Sequence, residues 1–77
     1  MEFDRLAEII ANALNKDPAQ IQMDRTLKDL GADSLDVFQI LYQIEDELQV
    51  RIDPADAEKL KTVGDLAKEV ERISKAR

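Results

Sequence analysis

The chain has 77 residues, no cysteine and no histidine, and its seventeen acidic and eleven basic side chains give a net charge of −6. Because a chain of this length has room for one small core, we expect a single domain over residues 1–77. The composition excludes disulfides, cysteine nucleophiles, Ser-His-Asp triads and histidine-ligated zinc, and the negative charge opposes nucleic acid binding.

The first predicted element is a helix over roughly residues 2–15. Its apolar residues recur at helical spacing, and its acids lie toward the amino-terminal end, where the helix dipole favours anions. No basic segment followed by an apolar run opens the chain, so we expect no signal peptide. No stretch approaches the roughly 18 apolar residues that span a bilayer. The sequence therefore predicts a cytoplasmic protein without a membrane partner.

A long loop is predicted between helices one and two. Asp17-Pro18-Ala19-Gln20 has the form of a helix start, but we expect only a turn there. Farther along, Gly31 can adopt the left-handed conformation that ends a short helical turn. We expect Leu27 and Leu30 to anchor the loop in the core.

Helix two is predicted to begin at Asp33 or Ser34 and to end near Gln49. One face carries an ordinary core stripe of Val37, Ile40, Leu41, Ile44 and Leu48. A second apolar stripe lies on nearly the opposite side, and its members are Leu35, Phe38 and Tyr42. One core cannot bury both stripes, so the second one is predicted to be exposed.

Asp53-Pro54 opens a short third helix through about Leu60, and Thr62 with Asp65 starts the last helix. The strand-like run 49–52 has no partner elsewhere in the sequence. We therefore predict an all-α four-helix bundle with a short third helix and a long loop between helices one and two.

The negative charge is concentrated in one region. Residues 29–58 hold nine acids and one base, a net charge of −8, whereas the remainder nets +2. This distribution predicts basic protein partners rather than nucleic acid. The acidic region lacks the Asp-x-Asp-x-Asp-Gly spacing of a calcium loop, so we predict no metal site. A bundle this small also has little volume for a desolvated carboxylate pair, so no catalytic residue is predicted.

Ser34 has two interpretations from local sequence. It, or Asp33, is a helix cap, since serines are common at helix starts. Alternatively, its hydroxyl is exposed on the first helical turn, where a phosphodiester would lie near free backbone N–H groups and the positive end of the helix dipole. The residues alone leave both open.

Leu27-x-Asp29-Leu30-Gly31-Ala32-Asp33-Ser34-Leu35-Asp36 resembles the motif of the acyl carrier protein family, and the likeness covers essentially the whole chain. The resemblance implies that a phosphopantetheinyl transferase attaches 4'-phosphopantetheine to Ser34, and that the chain is a monomeric carrier of acyl groups, not an enzyme. It also implies that Leu41, Ile44, Leu48, Ile52, Leu60 and Leu66 line a cleft for the acyl chain.

The resemblance further implies a face on helix two that docks acyl-transferring and synthase enzymes through their basic patches. Its predicted members are Asp33, Leu35, Asp36, Phe38, Gln39, Tyr42, Glu45 and Asp46. Carriers of general fatty acid synthesis usually have a smaller aliphatic residue at the position of Phe38, an acid at that of Gln39 and often methionine at that of Tyr42. These departures leave the pathway open between fatty acid synthesis and a specialised or polyketide-like route.

Two other functions fit the same pattern. An aminoacyl carrier would share the fold and the arm, although Asp33 speaks mildly against it because that class commonly lacks an acid before the serine. An unmodified helical subunit could use the acidic face for interaction alone.

Overall fold

The computed structural model describes residues 1–76, and Arg77, part of the predicted domain, lies outside them. Within this range the fold is all-α, as predicted. Its four α-helices are α1 (Phe3–Leu14), α2 (Ser34–Leu48), α3 (Pro54–Ala57) and α4 (Val63–Ala76). A single 3-10 turn, Pro18–Gln20, is the predicted turn in the long loop between α1 and α2. The described residues contain no strand, only one isolated backbone bridge.

The helices and the loop close around one hydrophobic core. α1 packs against α2, and the buried apolar residues of α4 belong to the same core. Burying these side chains is the main favourable term in folding, at about 25 cal/mol per Å² of apolar surface. The core members are Leu6, Ala7, Ile9, Ile10, Ala11, Ile21, Leu27, Leu30, Ile40, Leu41, Ile44, Ile52, Val63, Leu66, Val70 and Ile73.

The long loop is fixed to the start of α4. Thr26 and Thr62 form an antiparallel bridge, in which Leu27 N donates to Lys61 O at 3.0 Å and Val63 N donates to Arg25 O at 2.9 Å. Leu27 and Leu30, 5% and 7% exposed, anchor the loop in the core as predicted. The loop is therefore ordered by backbone hydrogen bonds and burial, although it forms no regular helix beyond its 3-10 turn.

The predicted cap of α4 is present, and Thr62 and Asp65 each accept a hydrogen bond from the other's backbone N–H. Thr62 Oγ1 accepts from Asp65 N at 3.0 Å, and Asp65 Oδ2 accepts from Thr62 N at 3.1 Å and Lys61 N at 3.2 Å. The hydrogen bonds from the backbone of Thr62 and then Lys61 hold the pKa of the Asp65 carboxyl below its usual value. This cap fixes the point at which the loop meets α4.

The third helix is shorter than the sequence suggested. It begins under the cap of Asp53, whose Oδ1 accepts from Ala55 N at 2.8 Å, but it ends at Ala57 instead of continuing to Leu60. Beyond it, Lys59 N bonds to Asp56 O and Leu60 N to Ala57 O, both at 3.1 Å. These hydrogen bonds join residues three apart, as in a 3-10 helix, and form tight turns that lead to the Thr26–Thr62 bridge.

An ion pair joins the start of α1 to the end of α2. The Arg5 guanidinium donates to Glu47 on α2 and also to Glu8 one turn along α1. The hydrogen bond from Arg5 holds the pKa of the Glu47 carboxyl below its usual value. Because these side chains are partly exposed, the pair adds little to the core packing.

Candidate functional site

The site is built around the first residue of α2, where the long loop ends. Gly31 has a φ of 88°, the left-handed conformation that was predicted for it and that glycine adopts without a steric penalty. Gly31 N donates to Lys28 O at 2.9 Å, and Ala32 N donates to Leu27 O at 3.0 Å. This hydrogen-bonded turn brings the chain from the core back to the surface immediately before Ser34.

Asp33, not Ser34, caps α2. Asp33 Oδ1 accepts from Asp36 N at 2.8 Å, and Asp36 Oδ2 accepts from Asp33 N at 3.2 Å, which together form a reciprocal capping box. The Ser34 side chain is exposed, and its hydroxyl makes no hydrogen bond to any residue between 1 and 76. Of the two local interpretations of Ser34, the structure favours the exposed hydroxyl over the cap.

A groove of about 790 Å³ opens beside Ser34, between the loop, α2 and α3; we call it the Ser34 groove. Its apolar lining comes from Leu27, Ala32, Val37, Phe38, Leu41, Pro54, Ala57 and Leu60, with Thr26, Lys28, Asp33, Ser34, Glu58 and Lys61 as the polar members. An apolar surface next to an exposed serine hydroxyl could receive an apolar group.

The lining differs from the cleft that the family resemblance implied. Leu41 and Leu60 line the Ser34 groove, and Ile52 lines a neighbouring groove on the other side of Phe38. Ile44, Leu48 and Leu66 line neither, and Ile44 and Leu66 are 0% and 1% exposed within the closed core. The sequence pattern places residues on the core face of a helix, but it does not say which of them border an opening.

Five apolar groove residues were not predicted as site residues: Leu27, Ala32, Val37, Pro54 and Ala57. Val37 belongs to the predicted core stripe of α2, but it lies at the edge of that stripe and is only half-buried. The sequence predicts Pro54 at the start of the third helix and Ala57 within it, but assigns neither to the site. Their distance of roughly twenty residues from Ser34 along the chain left no local signal for their position.

The predicted exposed stripe is present on α2. Leu35, Phe38 and Tyr42 are 65%, 57% and 72% exposed, and with Met23 they are the exposed large hydrophobic residues of the described chain. Singly exposed apolar residues are ordinary, but three on one face of one helix form a continuous patch. The stripe thus begins next to Ser34 and extends along the outer face of α2.

The polar residues predicted on this face have different local roles. Asp33 and Asp36 are engaged in the capping box, and Glu45 Oε2 accepts from Ile52 N at 2.7 Å, which ties α2 to the segment before α3. Gln39 and Asp46 are exposed. The face therefore combines an apolar stripe with carboxylates that also hold the local backbone.

The arrangement limits what Ser34 can do chemically. A serine becomes a strong nucleophile when a neighbouring base accepts its proton, and the Ser34 hydroxyl has no such partner among residues 1–76. In the same range, no three acidic side chains are placed to hold a metal ion. No helix there is long and apolar enough to cross a membrane.

Comparisons with known proteins agree with this geometry. The sequence model of the family described as "Phosphopantetheine attachment site" matches residues 4–70. The chain is 44% identical to the acyl carrier protein of Streptococcus thermophilus (strain CNRZ 1066) over 73 residues, which cover 95% of this chain and 96% of that protein. It is 48% identical to the acyl carrier protein of Clostridium perfringens (strain SM101 / Type A) over 65 residues, 83% of this chain and 86% of that protein.

A third relative, the acyl carrier protein of Streptococcus pyogenes serotype M1, is 44% identical over 73 residues, with 95% of this chain and 96% of that protein covered. These relatives favour neither the aminoacyl carrier nor the unmodified interaction subunit. The family match spans both the exposed Ser34 and the groove beside it. The chain belongs to the acyl carrier protein family.

Proposed function

We propose that this chain carries acyl intermediates as thioesters on a 4'-phosphopantetheine arm attached to Ser34, in fatty acid biosynthesis or a related polyketide-like or specialised lipid pathway. The observation that carries the proposal is the placement of Ser34. Its exposed hydroxyl does not cap α2 and lies beside an apolar groove. In this proposal residues 1–77 act as one monomeric, cytoplasmic carrier domain and not as an enzyme.

The surroundings of Ser34 suit a covalent phosphodiester. The amino-terminal end of α2 presents backbone N–H groups and the positive end of the helix dipole, both of which favour a phosphate. The carboxylates of Asp33 and Asp36, held together by the capping box, repel a free anion at the same place. A covalent bond to Ser34 would hold a phosphate there despite this repulsion.

Coenzyme A would donate the phosphopantetheine group to Ser34. The Ser34 oxygen would form a new bond to the phosphorus that bears pantetheine, the pyrophosphate bond would break, and 3',5'-ADP would leave. Since Ser34 has no base of its own, a phosphopantetheinyl transferase would accept the hydroxyl proton. The attached group would supply the thiol that holds the acyl chain, because the chain itself contains no cysteine.

The outer face of α2 is the proposed docking surface for the transferase and for acyl-transferring and synthase enzymes. Its stripe of Leu35, Phe38 and Tyr42 offers apolar contact area beside the arm. The surrounding acids and Gln39 belong to the region that carries a net charge of −8. Such a region would steer basic patches of partners toward Ser34.

The attachment is tested by intact mass. Incubation of the purified chain with coenzyme A, Mg²⁺ and a phosphopantetheinyl transferase is expected to add the mass of one phosphopantetheine, and peptide mapping is expected to place it on the peptide that contains Ser34. Several transferases of different specificity are used in parallel. An unchanged mass with all of them, alongside an accepted control carrier, would refute the proposal and support an unmodified interaction subunit.

Acidic steering is tested by the salt dependence of binding to the transferase. The Debye length falls from about 10 Å at 0.1 M salt to about 3 Å at 1 M, so the affinity is expected to decrease as salt increases. Asp46→Asn is expected to lower the slope of this dependence, because Asp46 is exposed and its carboxylate has no hydrogen-bonding duty in the described chain.

The matched control is Asp24→Asn, an exposed acid in the long loop and outside the −8 region. Its salt slope is expected to equal that of the unchanged chain. Binding that does not respond to salt, or equal slopes for the Asp46 and Asp24 variants, would contradict steering by this face.

A further inference from the structure

Two grooves lie on either side of the place where α2 faces α3. One is the Ser34 groove. The other, which we call the Tyr42 groove, measures about 1040 Å³ and extends along the carboxyl-terminal half of α2. It is lined by Phe38, Leu41, Tyr42, Glu45, Asp46, Gln49, Val50, Arg51, Ile52, Asp53, Pro54 and Ala57.

The two grooves share four lining residues, and these form the boundary between them: Phe38, Leu41, Pro54 and Ala57. Leu41 is 8% exposed and is the buried member of the boundary on α2, whereas Phe38 is 57% exposed and is its surface member. Pro54 and Ala57 belong to α3 and form the opposite wall. A group that extended from one groove into the other would therefore contact these four residues.

The far side of this boundary also offers apolar surface. Val50 and Ile52 line the Tyr42 groove, and its carboxylates and Arg51 lie among them as polar members. The hydrogen bond from Ile52 N to Glu45 holds the segment before α3 in place and so keeps this groove formed. A methylene chain that passed Phe38 would therefore leave water for a second apolar lining.

We propose that Phe38 sets the length of the acyl chain that this carrier shelters. This inference rests on the proposed attachment at Ser34. A chain that enters from Ser34 is covered by the Ser34 groove until it meets the Phe38 ring, and longer chains expose their remaining methylenes instead of continuing into the Tyr42 groove. Removing the ring joins the two grooves and extends the sheltered length.

The test uses the whole chain loaded with a series of straight saturated acyl groups, transferred with their arm from the corresponding acyl coenzyme A. Intact mass first shows whether each protein is loaded, and the melting temperature is then compared with that of the same protein carrying the bare arm. Each methylene that becomes fully buried is expected to raise the melting temperature by up to about 3–6 °C, so the rise stops at the sheltered length.

The unchanged chain is expected to reach a plateau at one acyl length. Phe38→Ala is expected to move the plateau to longer acyl groups, and Phe38→Leu to an intermediate length; the second variant keeps the test valid should the first fail to fold. Tyr42→Ala is the matched aromatic control, because Tyr42 is also exposed on α2 but lines only the Tyr42 groove. Its plateau is expected to match that of the unchanged chain.

Three outcomes would contradict either the role of Phe38 or the attachment at Ser34. A plateau at the same length in the Phe38 variants and the unchanged chain would overturn the role of Phe38, as would a melting temperature that does not depend on acyl length in any loaded protein. Failure of the unchanged chain to gain mass with any transferase would instead refute the attachment at Ser34.

Discussion

Replacing Ser34 by alanine is expected to abolish loading with phosphopantetheine completely and to leave the fold intact. The loss is complete because the hydroxyl oxygen is the proposed attachment atom. The fold is unaffected because Asp33 supplies the cap of α2 and the Ser34 hydroxyl holds no other residue in the described chain. Intact mass measures the first effect, and urea unfolding followed by far-ultraviolet circular dichroism measures the second, with an expected change within about 0.5 kcal/mol.

The chain offers a matched control in Ser74, its only other serine. The Ser74 hydroxyl oxygen is buried on α4, so it is inaccessible to a transferase. Ser74→Ala is therefore expected to load as fully as the unchanged chain. A gain of one phosphopantetheine mass by Ser34→Ala would show that another residue is modified.

The second large effect concerns the core between α1 and α2. Ile44→Ala is expected to lower the free energy of unfolding by about 2–5 kcal/mol, because Ile44 is fully buried and its removal leaves a cavity. The total stability expected for 77 residues is about 4–12 kcal/mol. This single change therefore removes a large share of it.

Urea unfolding again provides the measurement. The control is Gln43→Ala, one position earlier on α2, whose side chain is exposed and which is expected to change the free energy by less than about 0.5 kcal/mol. Equal effects of the two substitutions would show that Ile44 does not belong to a closely packed core.

The long helices were predictable because their signals are local. The apolar spacing of α1, α2 and α4 and the capping pairs Asp33–Asp36 and Thr62–Asp65 all lie within a few residues of one another. The exposed stripe on α2 was predictable for a related reason, since two opposite apolar faces cannot both be buried by one core. These features depend on the repeat of the helix and not on the rest of the fold.

The features that were not predictable depend on residues far apart in sequence. The end of α3 at Ala57 follows from the need to lead the chain into the Thr26–Thr62 bridge, whose two sides are separated in sequence by the whole of α2 and α3. The grooves likewise arise where α2 meets α3, and helical periodicity does not show that Pro54 and Ala57 lie opposite Phe38. The exposed position of Ser34 at the start of α2 was therefore predictable from sequence, whereas the apolar residues around it were predictable only in part.

The bridge between the loop and α4 also has a consequence for local unfolding. The amides of Leu27, Val63 and Gly64 all donate across this junction, to Lys61, Arg25 and Met23 respectively. When the start of α4 separates from the loop, all three amides are released to water together, and the turn before Ser34 loses its support. Hydrogen exchange at these amides should therefore report one shared opening, which couples the order of the loop before Ser34 to the docking of α4.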